Sequence, residues 1–77
     1  MVINLLDRLH STGELKALYN AGVISQSAIN NRKIYHTFID RINKGIPKGQ
    51  AVKDSAFTHK TSLKTVYTAI SKMELKQ

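Results

Sequence analysis

Apolar residues recur along this chain at helical spacing, and no stretch shows the period-two alternation of β-branched residues that marks a strand. Val2, Leu5, Leu6 and Leu9 predict a first helix over residues 2–10. Ser11, Thr12, Gly13 and Glu14 interrupt it, and Ser11 with Glu14 three places later has the spacing of a capping box. A second helix follows over about residues 12–21, with Leu15, Leu18 and Tyr19 on one face and Gly22 at its end. After Val23 and Ile24, Ser25 or Ser27 caps a third and longest helix, whose stripe is Ile34, Tyr35, Phe38, Ile39 and Ile42. Asn43, Lys44 and Gly45 close it, with a cation in the last turn and glycine just beyond. Pro47 takes a first-turn position of a fourth helix carrying Ala51, Val52 and Ala56. Thr61 or Ser62 caps a fifth, with apolar positions Leu63, Val66, Tyr67, Ile70 and Met73 and a tail over 74–77 that is expected to fray.

The expectation is therefore an all-α fold, a compact bundle of about five helices. At 77 residues the chain makes a single domain, with a helical pair over 1–25 followed by 26–77. A core this small is marginal, and with no cysteine neither disulfides nor thiolate metal sites reinforce it, so helix packing or self-association must hold it together. No apolar run reaches the roughly 18 residues of a membrane span. The opening residues lack a basic leader, and Asp7 and Arg8 break the apolar stretch, so the reading is a non-secreted, cytoplasmic protein with no membrane partner.

Charge changes the picture more than composition does. The net charge is +7. Residues 1–40 hold four cations against three carboxylates, a net of +1, whereas residues 41–77 hold eight against two, a net of +6. Positive charge gathered in one half of a small domain is the footprint of a phosphate-binding surface, although a lysine-rich surface also serves solubility alone.

The basic half also carries the most specific pattern. A helix-turn-helix needs a short first helix with a small residue where the second crosses it, a tight turn, and a second helix with one buried face and one polar or basic face. Ala56 is the small residue, residues 59–61 are the turn, Ser62 is the cap, and Val66 and Ala69 are the inward positions. The run Gly45-x4-Gln50-Ala51-Val52-x3-Ala56-x5-Ser62-x2-Thr65-Val66-Tyr67-x2-Ile70 resembles the trihelical helix-turn-helix of bacterial and phage regulators, such as the Mor-type activators and region four of sigma factors. The resemblance spans about residues 34–73, with the long third helix as the supporting helix. Three positions depart from it: Ser55 and Thr61 stand where aliphatic residues are usual, and His59 where a large apolar residue fills the core.

The resemblance implies duplex DNA as partner and the fifth helix as the recognition helix in the major groove. Ser62, Lys64, Thr65, Thr68 and Ser71 then face base edges and nearby phosphates, while Lys60, Lys64 and Lys72 neutralise phosphates. In this register Tyr67 meets a phosphate through its hydroxyl, whereas periodicity alone sets it beside Leu63 and Ile70 on the core side; Leu63 is ambiguous in the same way. The recognition helix has no arginine, asparagine or glutamine, so the strongest bidentate readers are missing and specificity calls for a dimer, a protein partner or indirect readout.

Residues 14–33 show a second, weaker helix-turn-helix cadence, with Gly22 in the turn, Ser25 as cap, and Gln26, Asn30, Asn31, Arg32 and Lys33 beyond. Either this is a second DNA-reading unit or the first three helices only build the core and a dimer face. Catalysis finds no foothold: no P-loop, nucleophile elbow or dinucleotide fingerprint is present, and the carboxylates form no closely spaced pair. His10, His36 and His59 have no metal-ligand spacing. The reading is a non-enzymatic regulator without metal, cofactor or small-molecule substrate. The competing reading is a helical interaction module whose stripes at 2–9 and 34–42 form an oligomer or partner interface. RNA binding is weaker, because aromatic residues are too few for a stacking platform.

Overall fold

The computed structural model describes residues 1–75; Lys76 and Gln77, the end of the tail expected to fray, lie outside the described residues. Five helices follow one another: α1 (Val2–Ser11), α2 (Glu14–Asn20), α3 (Gln26–Asn43), α4 (Lys48–Thr58) and α5 (Leu63–Met73). No strand occurs among the described residues, and no helix there is long and apolar enough to cross a membrane.

The stripe on α3 organises the rest. Ile34, Tyr35 and Phe38 are buried, and Ile39 and Ile42 pack against them at the edge of the core. Both α4 and α5 lie against α3 and against each other. Helix α4 contributes Ala51, Val52 and Ala56, and α5 contributes Val66, Ala69, Ile70 and Met73. Small residues on α4 allow close approach of the neighbouring helices. Helix α1 joins the same core through Ile3 and Leu6, and α2 adds only Leu15. The stripes at 2–9 and 34–42 thus pack largely within the chain's own core.

Several local expectations change. Ser11 and Glu14 form no capping box. Ser11 ends α1 and its hydroxyl donates back to the Arg8 carbonyl at 2.9 Å, while Gly13, at φ 82°, immediately precedes α2. Pro47 stands just before α4 rather than inside it, and its carbonyl accepts the Ala51 N–H at 2.8 Å. Glu74 and Leu75 are tied down: the Leu75 carbonyl accepts the Val2 N–H at 2.8 Å, and Glu74 accepts the Tyr35 hydroxyl at 2.9 Å. Ser25 and Ser62 do cap α3 and α5, accepting the N–H groups of Ala28 and Thr65 at 3.2 and 3.1 Å.

Three helix ends share one closure. After α2, Gly22 and Val23 donate to the carbonyls of Tyr19 and Leu18; after α3, Gly45 and Ile46 donate to Ile42 and Arg41. After α4 the same pair of bonds runs from Lys60 to Phe57 and from Thr61 to Ala56, at 3.2 and 2.9 Å. This closure needs a left-handed residue at its first donor. Gly22 and Gly45 fill that place at φ 78° and 86°, but after α4 it is Lys60, at φ 53°. A side chain in that region costs roughly 1–2 kcal/mol.

Two predictions follow from this packing. Lys60→Gly and Lys60→Ala remove the same charge, but only glycine relieves the backbone, so urea unfolding should find Lys60→Gly more stable than Lys60→Ala by about 1 kcal/mol; equal stabilities would refute the strain. The Tyr35 phenol is pushed up to about 12, by burial first and then by its hydrogen bond to Glu74 and the Glu74 charge. An unfolded tyrosine ionises near pH 10. The fold therefore keeps this contribution below about pH 10 and loses it as pH rises towards 12. Tyr35→Phe should flatten the stability profile across that window, measured by thermal melts.

Candidate nucleic-acid interface

Helix α5 faces the core with Val66, Ala69, Ile70 and Met73, and this sets everything it shows outward. At 100° per residue the opposite side is centred on Lys64, Thr68 and Ser71, all exposed. Leu63 and Tyr67 lie on one flank, 46% and 51% exposed. Their two readings are thereby separated: both belong to the outer surface, beside the core face that Val66, Ala69, Ile70 and Met73 fill. Thr65 and Lys72 lie on the other flank, towards the first half of α3, where Thr65 is half-buried and Lys72 exposed.

The eight candidate residues are therefore not equivalent. Lys64, Tyr67, Thr68, Ser71 and Lys72 are exposed along the helix, with Lys60 in the turn. Ser62 and Thr65 are occupied locally: besides the cap bond, their hydroxyls lie 3.0 Å apart in a second hydrogen bond. Thr68 also donates to the Lys64 carbonyl at 3.0 Å, which leaves its methyl and a lone pair outward.

Two of the three residues that depart from the resemblance are accommodated by side-chain hydrogen bonds. Ser55 is fully buried, and its hydroxyl donates to the Ala51 carbonyl at 2.8 Å, so a polar group replaces an aliphatic one without going unsatisfied. Half-buried His59 shares a hydrogen bond of 2.7 Å between its Nε2 and Thr37 Oγ1, which links the turn to α3. Thr61 contributes its N–H to the closure of α4.

Carboxylates are drawn away from this face. Asp7 meets Arg32 Nε at 3.0 Å and His36 Nε2 at 2.7 Å. Asp40 meets Arg41 and Lys44 at 3.0 and 3.1 Å, and Asp54 accepts from Gln50 at 2.8 Å with Arg41 Nε 3.9 Å away. Each pair is exposed or half-exposed and contributes little to stability. Their consequence is electrostatic: among the described residues Lys60, Lys64 and Lys72 pair with no carboxylate. No group of three or more His, Asp or Glu among those residues is placed to hold a metal ion.

Several residues of the amino-terminal cadence are engaged within the chain. Helix α2 packs on α1. Arg32 is engaged by Asp7, Asn31 is 8% exposed, and Gln26 donates to Asn30 at 2.9 Å. Asn30, Asn31 and Lys33 instead line an open groove of about 360 Å³ together with His59, Lys60 and Thr65. Sequence periodicity could not pair these two segments, because they are joined only through the packing of α3 on the turn. Phe57, 87% exposed in the last turn of α4, is the other feature that periodicity missed.

Comparison with protein-family models, with curated proteins and with solved structures gives no match for this chain. The site is thus read from its geometry. Ser62→Ala should cost about 1 kcal/mol through loss of the α5 cap; a chemical denaturation midpoint unchanged from the parent would show that the cap contributes nothing.

Proposed function

We propose that this chain binds duplex DNA through α4, its turn and α5, used as a helix-turn-helix, and that it acts as a transcriptional regulator of modest intrinsic specificity. The observation that carries the reading is the division of α5: Val66, Ala69, Ile70 and Met73 inward, Lys64, Thr68 and Ser71 outward, and, among the described residues, no carboxylate paired with the lysines beside them. A helix so divided lays a row of short hydroxyls and cations along a major groove. Lysines at 60, 64 and 72 hold phosphates, Tyr67 adds its hydroxyl at the flank, and the threonine methyl and hydroxyl at 68 meet base edges. Hydroxyls discriminate weakly, so a second copy or a protein partner supplies the remaining specificity.

The competing reading is a protein-interaction module. Its surface would be the exposed apolar residues Phe57, Leu63 and Tyr67, since the helical stripes are packed internally. Fluorescence anisotropy with random and promoter duplexes at several salt concentrations separates the two. DNA binding should weaken steeply with salt through counterion release. Lys64→Ala with Lys72→Ala should lower the slope by about two, one for each lost phosphate contact. Ser62→Asp, which keeps the cap, should fold normally yet weaken binding by repelling phosphate. Absence of binding at low salt, with salt-insensitive self-association, would replace the DNA reading by the interaction module.

A further inference from the structure

The groove between the first half of α3 and the α4–α5 turn has a chemistry that the outward face of α5 does not use. We propose that it is a binding site for a phosphate group, adjoining the surface that α5 presents to a duplex and sharing Lys60 with it. Three independent features converge there.

The first is charge. Lys33 and Lys60 line the groove from opposite elements, no carboxylate lines it, and neither lysine forms an ion pair among the described residues. Two uncompensated ammonium groups flanking one depression favour an anion.

The second is Asn31. It is 8% exposed, and its side chain has no hydrogen-bond partner among the described residues. Among the described residues no fully enclosed side-chain nitrogen or oxygen lacks a partner, so the Asn31 amide keeps an opening to solvent at the grooves it lines. A largely buried amide that has no protein partner and opens only into such a groove is free to bond what occupies it. Its NH2 group supplies two donors to a phosphate oxygen.

The third is Lys60. At the same position of the same closure, α2 and α3 are followed by glycine; among the described residues only this one holds a side chain in the left-handed region. Strain retained at one place in a fold points to use of that side chain. The hydroxyls of Thr61 and Thr65 and the His59 ring complete a polar wall. A volume of about 360 Å³, open on one side, admits a phosphate carried on a larger molecule. Two sources share this chemistry: a phosphodiester of nucleic acid, or a free phosphorylated small molecule.

The test is ¹H–¹⁵N NMR of the full chain at low ionic strength, titrated with inorganic phosphate, with adenosine monophosphate and with a random duplex, against sodium chloride of matched ionic strength. Saturable shifts are expected at residues 30–33 and 59–61, absent with chloride. Lys60→Gly, Lys33→Gln and Asn31→Leu should each weaken them about tenfold, the loss of one charge-assisted or buried hydrogen bond. Lys60→Gly relieves strain, so its loss of binding is not a loss of fold. Shifts with the small phosphates identify a free ligand; groove shifts with duplex alone, removed by Asn31→Leu while those of α5 persist, identify a phosphodiester. If a duplex moves α5 only and the groove stays silent throughout, the site is refuted while DNA binding stands. If the small phosphates move the groove and duplex leaves α5 unmoved, DNA reading by α5 fails and the site stands. Shifts reproduced by chloride would also overturn it.

Discussion

Ile34, Tyr35 and Phe38 form one continuous apolar stripe on α3, the helix against which both α4 and α5 pack. A chain of this size, with no covalent or metal cross-link, has too little interior for several independent cores. One long helix shared by α4 and α5 solves that problem. It buries the small residues of α4 and the β-branched and aliphatic residues of α5 against a single partner. Tyr35 also brings a polar tip into the packing, and its bond to Glu74 ends the fold where the Val2 to Leu75 bond closes chain start onto chain end.

Function inherits this arrangement. Because α3 takes Val66, Ala69, Ile70 and Met73, the rotation of α5 about its axis is determined, and Lys64, Thr68 and Ser71 have no direction left but outward. Asp40 and Asp54 are engaged on α3 and α4 with Arg41, Lys44 and Gln50, so they do not neutralise the lysines of the turn and of α5. A modest net charge is thereby turned into a directed one. The proposed duplex-binding face and the proposed phosphate groove lie on either side of the same turn, and Lys60 is their common element.

The turn itself shows how a polar substitution is absorbed. Ser55 and His59 each introduce a polar group where the resemblance expects apolar packing, and each side chain finds a hydrogen bond, to a backbone carbonyl and to Thr37. The bond from His59 to Thr37 replaces dispersion contacts by a directional link between the turn and α3. Such a link holds position more tightly than it stabilises, since a neutral hydrogen bond contributes only about 1 kcal/mol net.

What the sequence determined by itself was local. Helical periodicity, the caps Ser25 and Ser62, and the glycines after α2 and α3 each depend on residues within a few places of one another, and they placed all five helices. The failures were local too: Ser11 lies three residues from both Arg8 and Glu14, and it closes α1 rather than capping α2. Rotation about a helix axis was undecided wherever apolar residues covered more than half the circumference, as on α5. Ala69 was legible as an inward position, but only tertiary packing put Leu63 and Tyr67 on the outer surface, 46% and 51% exposed. Packing alone also brought Asn31 and Lys33 to Lys60. Residues so far apart in sequence carry no shared period, and what makes them neighbours is α3 lying across the turn.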